Sequence, residues 1–159
     1  MTLSTLTALS PIDGRYAAKV DPLRAIASEL GLMQARVEVE LAWIKSLANH
    51  SAIDEVAPLS QQAIAEIDAI VAQFDEAAGA RIKAIEATTN HDVKAVEYFI
   101  KEKFAENPEL NAIGEFVHFA CTSEDINNLA YSLMLARMRS QVLAPKMREI
   151  IAVLRRMAT

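Results

Sequence analysis

From Ile126 onward the apolar positions fall at 126, 129, 133, 136, 143, 147, 150, 154 and 157, a three-four alternation interrupted only at Ser140. Side chains spaced in this way share one side of an α-helix, whereas a strand would scatter them over both faces. Over about 30 residues the pattern predicts a helix roughly 48 Å long, at 1.5 Å per residue, and a stripe of that length needs other helices to cover it in a bundle. Pro145 lacks an amide hydrogen and its ring displaces the bond back to Gln141, so a kink is expected there. The final REIIAVLRRMAT contains neither a glycine cap nor a proline stop, and no later helix remains to cover the stripe. The expectation is an N-terminal piece of a longer protein.

The remaining sequence agrees with an all-α fold. Only four glycines and five prolines occur in 159 residues, and no alternating β-branched run lasts more than a few positions. Residues 1–20 read as irregular, with a turn at Pro11–Gly14, and Asp21-Pro22 reads as a helix cap followed by proline in the first turn. Met33, Val37, Leu41, Ile44 and Leu47 make one helical face, which Val39 and Trp43 widen, so this helix is expected to be well buried. After a connection at 49–60, Ser60 is the expected cap of a helix with the stripe Ile64, Ile67, Ile70, Val71 and Phe74. A break near Gly79 and a short amphipathic turn through Ile82 and Ile85 follow.

Thr89-Asn90-His91-Asp92 has the Thr-x-x-Asp form of a capping box ahead of the stripe Val93, Val96, Ile100 and Phe104. Asn107-Pro108 ends that helix, and another is expected from Glu109 to about Cys121, with Phe116 to Cys121 in the core. Thr122-Ser123-Glu124-Asp125 then repeats the Thr-x-x-Asp pattern at the start of the long helix. Asn127 and Asn128 are poor helix formers, and whichever faces inward must find a hydrogen-bond partner.

A net charge of −5, with Lys and Arg scattered, weighs against nucleic-acid binding and against an anionic membrane surface. No apolar run approaches the roughly 20 residues of a membrane helix, the N-terminus lacks the pattern of a signal peptide, and one cysteine provides no disulfide framework. A soluble cytoplasmic protein is the expectation, with no metal and no cofactor.

Three clusters carry chemistry. Arg15-Tyr16 offers a guanidinium that can fork onto a phosphate or carboxylate; alternatively the tyrosine anchors the N-terminus and the arginine is solvated. Asn90-His91-Asp92 places an imidazole at a helix start, where free amides favour an anion and His91 can donate to a substrate oxygen; alternatively these are ordinary first-turn residues. Thr122-Ser123 offers hydroxyls and amides as a cradle for an anion, against which Glu124 and Asp125 compete; an ordinary cap accounts equally well for the pattern. His118 and Cys121 are too few for a metal site.

These clusters lie in the blocks SPIDGRY at 10–16, TTNHDVKAVEYF at 88–99 and FVHFACTSEDINNLA at 116–130. In content, order and separation they resemble the bacterial adenylosuccinate lyases, a family within the fumarase/aspartase superfamily, over nearly the whole chain. The resemblance implies a homotetramer built on a large central bundle, with residues 1–110 an N-terminal helical domain and 111–159 the truncated start of the bundle. It implies a small-molecule nucleotide substrate and β-elimination of fumarate from adenylosuccinate, giving AMP, and from succinyl-aminoimidazole carboxamide ribotide in purine biosynthesis. By position, Arg15 and Tyr16 would contact the nucleotide, Asn90, His91 and Asp92 would line the pocket with His91 in a supporting role, and Thr122 and Ser123 would hold a succinyl carboxylate. The family's proton donor lies in a Thr-x-His motif and its acceptor in a Ser-Ser-x-Met-Pro loop, neither of which occurs here. The chain by itself is therefore expected to be inactive. A sibling lyase acting on argininosuccinate, aspartate or fumarate, and a non-enzymatic helical interaction module, are the competing readings.

Overall fold

A computed structural model describes residues 4–158, in which every regular element is helical. The α-helices are α1 (Arg24–Ala27), α2 (Glu29–Ala48), α3 (Gln61–Ala72), α4 (Glu76–Thr89), α5 (Asp92–Phe104), α6 (Pro108–Ala112), α7 (Ser123–Arg137) and α8 (Ala144–Met157). No described helix is long and apolar enough to cross a membrane.

Helix α2 is the axis of the fold, packing against α7, α5, α3 and α4. Its Met33, Val37, Leu41, Ile44 and Leu47 enter the larger core with Ile67 of α3, Ile82 of α4 and Val96, Ile100 and Phe104 of α5. Its Ala35 and Val39 enter a second, smaller core with Val93 of α5 and Ile126, Ala130 and Met134 of α7. A helix with cores on two sides has almost no solvated face, which is why its apolar pattern is broad. Even Arg36 and Glu40 are buried in it.

The caps explain where the helices begin. Ser28, in extended backbone, accepts the Gly31 N–H at 3.2 Å, so α2 starts four residues ahead of the first apolar position of its stripe. Ser60 caps α3 as expected, through the Ala63 N–H at 3.1 Å, and its own N–H and hydroxyl each donate to Glu109 at 2.6 Å. Asp75 caps α4, and Asn107 caps α6 by accepting the Glu109 N–H at 2.8 Å.

Several local expectations change. There is no break near Gly79: α4 runs straight through it, with the glycine packed beneath the tip of the Leu30 side chain. Asp21 does not cap a helix but begins a 3-10 turn, Asp21–Leu23, with Val20 as its cap. Thr89 to Asp92 is not a capping box: Thr89 ends α4, Asn90 turns the chain at φ 51°, and His91 itself caps α5. No helix spans 109 to 121 either. α6 stops at Ala112, a 3-10 turn follows at Gly114–Phe116, and His118 and Ala120 take left-handed conformations at φ 66° and 58°. Val117 is buried there, but Phe119 and Ala120 are exposed.

From Ser123 to Met157 the chain is one unbroken helical run, as the stripe requires. The irregularity expected at Pro145 appears just before it, as a π-helical turn at Met138–Leu143, and proline sits in the first turn of α8. The widened turn absorbs the missing amide hydrogen. Beyond it no side chain of α8 is buried, and Met147, Ile150, Leu154 and Met157 are exposed.

Candidate functional site

Two helix starts form the centre of the site. At α5, Asn90 closes the end of α4 by donating its N–H to the Glu86 carbonyl at 2.8 Å, a left-handed position that asparagine tolerates. The chain re-enters helix at once with His91 as cap, Nδ1 accepting the Lys94 N–H at 3.2 Å. An accepting Nδ1 in neutral imidazole requires the proton on Nε2, so the exposed ring offers an N–H donor on its outer edge. Asp92 is the first residue of α5. Burial works to raise its carboxyl, but the Val93 N–H and the Arg36 guanidinium outweigh that effect and hold it below the usual range.

At α7, Thr122 is the cap. Its N–H donates to Asp125 Oδ2 at 2.7 Å and its hydroxyl to the same oxygen at 2.9 Å. The Thr122 N–H, then its hydroxyl, lower the Asp125 carboxyl. Competition from Asp125 therefore falls on Thr122 alone. The half-buried Ser123 has no side-chain hydrogen bond among the described residues, leaving its hydroxyl and the early amides of a 15-residue helix for a ligand.

Arg36, on α2, joins the two starts. Its Nη2 meets Asp92 Oδ2 at 2.7 Å and its Nε meets Asn127 Oδ1 at 2.9 Å. Asn127 is thus the inward asparagine with a partner, while Asn128 bonds the Glu124 carbonyl of its own helix. Beside the Asp92–Arg36 contact lies a hollow of about 370 Å³, walled also by Ser28, Tyr131 and Met134. On the other side of α7 a larger groove of about 800 Å³ runs along α2, lined by Trp43, Cys121, Asp125, Leu129 and Leu133.

Arg15 and Tyr16 stand apart. The Gly14 N–H closes the expected turn onto the Ser10 carbonyl at 2.9 Å, and the Arg15 guanidinium lies 4.8 Å from the Tyr16 ring centre. Both are exposed, and no hydrogen bond or ion pair joins either side chain to His91, Asp92, Thr122 or Ser123 among the described residues. No cluster of three or more His, Cys, Asp or Glu suited to a metal ion occurs among them either.

Arg36 and Glu40 are the residues that sequence reasoning passed over, and His118, weighed there only as a metal ligand, is the partner of Glu40. Glu40 is fully buried against His118, with Oε1 2.6 Å from Nδ1 and Oε2 accepting the His118 N–H at 3.1 Å. Burial pushes its carboxyl up, and the His118 bonds oppose that push. One signal was available. In a helix apolar at 33, 35, 37, 39, 41 and 44, a charge at 36 or 40 has no solvated face and must have a buried partner.

A family model described as Lyase matches residues 14–159. The chain is 60% identical to the adenylosuccinate lyase of Escherichia coli (strain K12) over 151 residues, 95% of this chain and 33% of that protein. It is 60% identical over 158 residues to the adenylosuccinate lyase of Haemophilus influenzae, covering 99% of this chain and 35% of that one. Against the adenylosuccinate lyase of Vibrio cholerae the identity is 54% over 158 residues. The chain spans about a third of the length of these curated relatives.

Proposed function

Because the chain belongs to the Lyase family, we propose that it carries the substrate-binding segments of an adenylosuccinate lyase. Such an enzyme removes the proton from the succinyl carbon next to a carboxylate, forms an aci-carboxylate carbanion, and expels the amine as it is protonated, leaving fumarate and AMP. The same elimination from succinyl-aminoimidazole carboxamide ribotide belongs to this reading, as do a homotetramer and a cytoplasmic location. Residues 1–110 form its N-terminal helical domain, and 111–159 open the central bundle. The observation that carries the proposal is the 60% identity over 95% and 99% of the chain to two curated adenylosuccinate lyases.

The site geometry supports the assignment of roles. A free Ser123 hydroxyl at a helix start, backed by the amides and the positive end of α7, suits one succinyl carboxylate, with the Thr122 cap beside it. The outward N–H of His91 suits a substrate oxygen, with Asn90 and Asp92 shaping the pocket around it. Arg15 and Tyr16, exposed and stacked on one another, suit the nucleotide end. No group here performs the proton transfers, so the chain binds without turning over.

A chimera tests this directly: residues 1–159 replace the matching third of the Escherichia coli relative. The expected result is fumarate release from adenylosuccinate and none from argininosuccinate, while the 159-residue chain alone releases none. An assembled chimera that ignores adenylosuccinate would overturn the proposal, and turnover by the isolated chain would overturn the assignment of roles.

A further inference from the structure

Between the end of the 3-10 turn and the start of α7 the backbone adopts two left-handed conformations, His118 at φ 66° and Ala120 at φ 58°, and neither residue is glycine. A side chain with a Cβ makes each of these conformations unfavourable, so the shape persists only because its surroundings impose it. Helix α2 does the imposing. Glu40, with no exposed surface, uses its oxygens separately, Oε2 for the His118 N–H at 3.1 Å and Oε1 for Nδ1 at 2.6 Å. Nearly one turn later Trp43 Nε1–H donates to the Phe119 carbonyl at 2.8 Å. The gripped residues lead, through Cys121, straight into Thr122 and Ser123.

The pairing also fixes the ring. With Nδ1–H held against Glu40, the neutral imidazole has a bare Nε2, which makes no hydrogen bond to the described residues and is not buried. His118 lies near enough to the α7 cap that, when protonated, its charge helps to lower the Asp125 carboxyl.

We propose that Glu40 is a positioning residue for the Thr122–Ser123 cradle, acting through His118: it sets the imidazole tautomer and the left-handed turn that aims the start of α7. The claim rests on the reading of that cradle as a carboxylate site.

Glu40→Gln separates this from a merely structural pair. Gln has one acceptor oxygen, which the fixed His118 N–H claims, and its NH₂ then donates to Nδ1 and drives the ring to the Nε2–H form with little change in volume. Long-range ¹⁵N spectra of the 159-residue chain at alkaline pH are expected to show that tautomer change, together with displaced Thr122 and Ser123 amide signals. In the chimera, Glu40→Gln is expected to raise KM for adenylosuccinate about tenfold, with a smaller effect on kcat, as for one weakened hydrogen bond to a carboxylate. An unchanged tautomer, a changed tautomer with unmoved amides, or an unchanged KM would each overturn the positioning role. A parent chimera that releases no fumarate would refute the functional reading alone, and the spectra would then decide the role of Glu40 by themselves.

Discussion

At the scale of single residues, Arg36 joins the two helix starts. Replacing it by methionine keeps the apolar stem but leaves Asn127 Oδ1 and Asp92 Oδ2 without their donor. Asp92 is half exposed, so water screens its share of the loss, and an overall destabilisation of about 1–2 kcal/mol is expected in urea unfolding. Acid should act on the same groups. Asp92 and Asp125 both titrate below the ordinary carboxylate value, so their contribution is present above about pH 3.9 and is lost as pH falls through the lowered native values. Helix content followed by circular dichroism should fall across that acid window, and Asp125→Asn should shrink the acid-dependent part; an acid curve unchanged by that substitution would count against the cap. The His91, Asp92, Thr122 and Ser123 clusters could be found in the sequence because helix caps have short-range signatures. Arg36 and Glu40 were harder to see, since the partner of a buried charge lies 56 to 91 positions away for Arg36 and 78 for Glu40.

At the scale of the elements, two glycines make opposite predictions. A Cβ on Gly31 would lie 2.3 Å from the Ile26 carbonyl oxygen, backbone that cannot swing aside because α1 folds back tightly on α2. Gly31→Ala should therefore cost about 1–3 kcal/mol. A Cβ on Gly79 would meet only the tip of the Leu30 side chain, at 2.5 Å. There the gain in helix propensity, up to about 1 kcal/mol, offsets the displaced leucine, so Gly79→Ala should unfold within about 1 kcal/mol of the parent. Thermal unfolding of the two variants side by side checks the contrast. Helical stripes were legible because their period is local, and α2, α3, α5 and α7 lie where those stripes put them. The stretch 113–121 was misread as helix because its residues are helix-compatible in composition. What overrides them is the Glu40 and Trp43 grip from α2, which no local pattern contains.

At the scale of the whole molecule, the exposed Met147, Ile150, Leu154 and Met157 repeat on one helix with no described element covering them. A contiguous apolar face of this kind promotes association. In sedimentation velocity the 159-residue chain should shift to larger species as concentration rises, and Ile150→Glu with Leu154→Glu should abolish the shift. Retained association in that double variant would place the contact elsewhere. The helical run and apolar stripe of this end were legible from its alternation alone, whereas the way Arg15 and Tyr16 relate to the other two clusters was not. Nothing in their spacing encodes that separation.

The π-helical turn at Met138–Leu143 acts as a phase shifter. In an ordinary helix each residue advances about 100°, so a regular rod could not hold Ile126, Ala130 and Met134 against α2 and direct the next stripe independently. One surplus residue in the widened turn resets that angle. Winding the same residues regularly would rotate everything after the turn by about 100° relative to α2, whereas deleting Ser140, which removes the surplus residue together with the widened turn, should leave the bearing of the outer stripe nearly unchanged. The widened turn thus sets the bearing of the exposed α8 stripe relative to the core that α7 buries against α2.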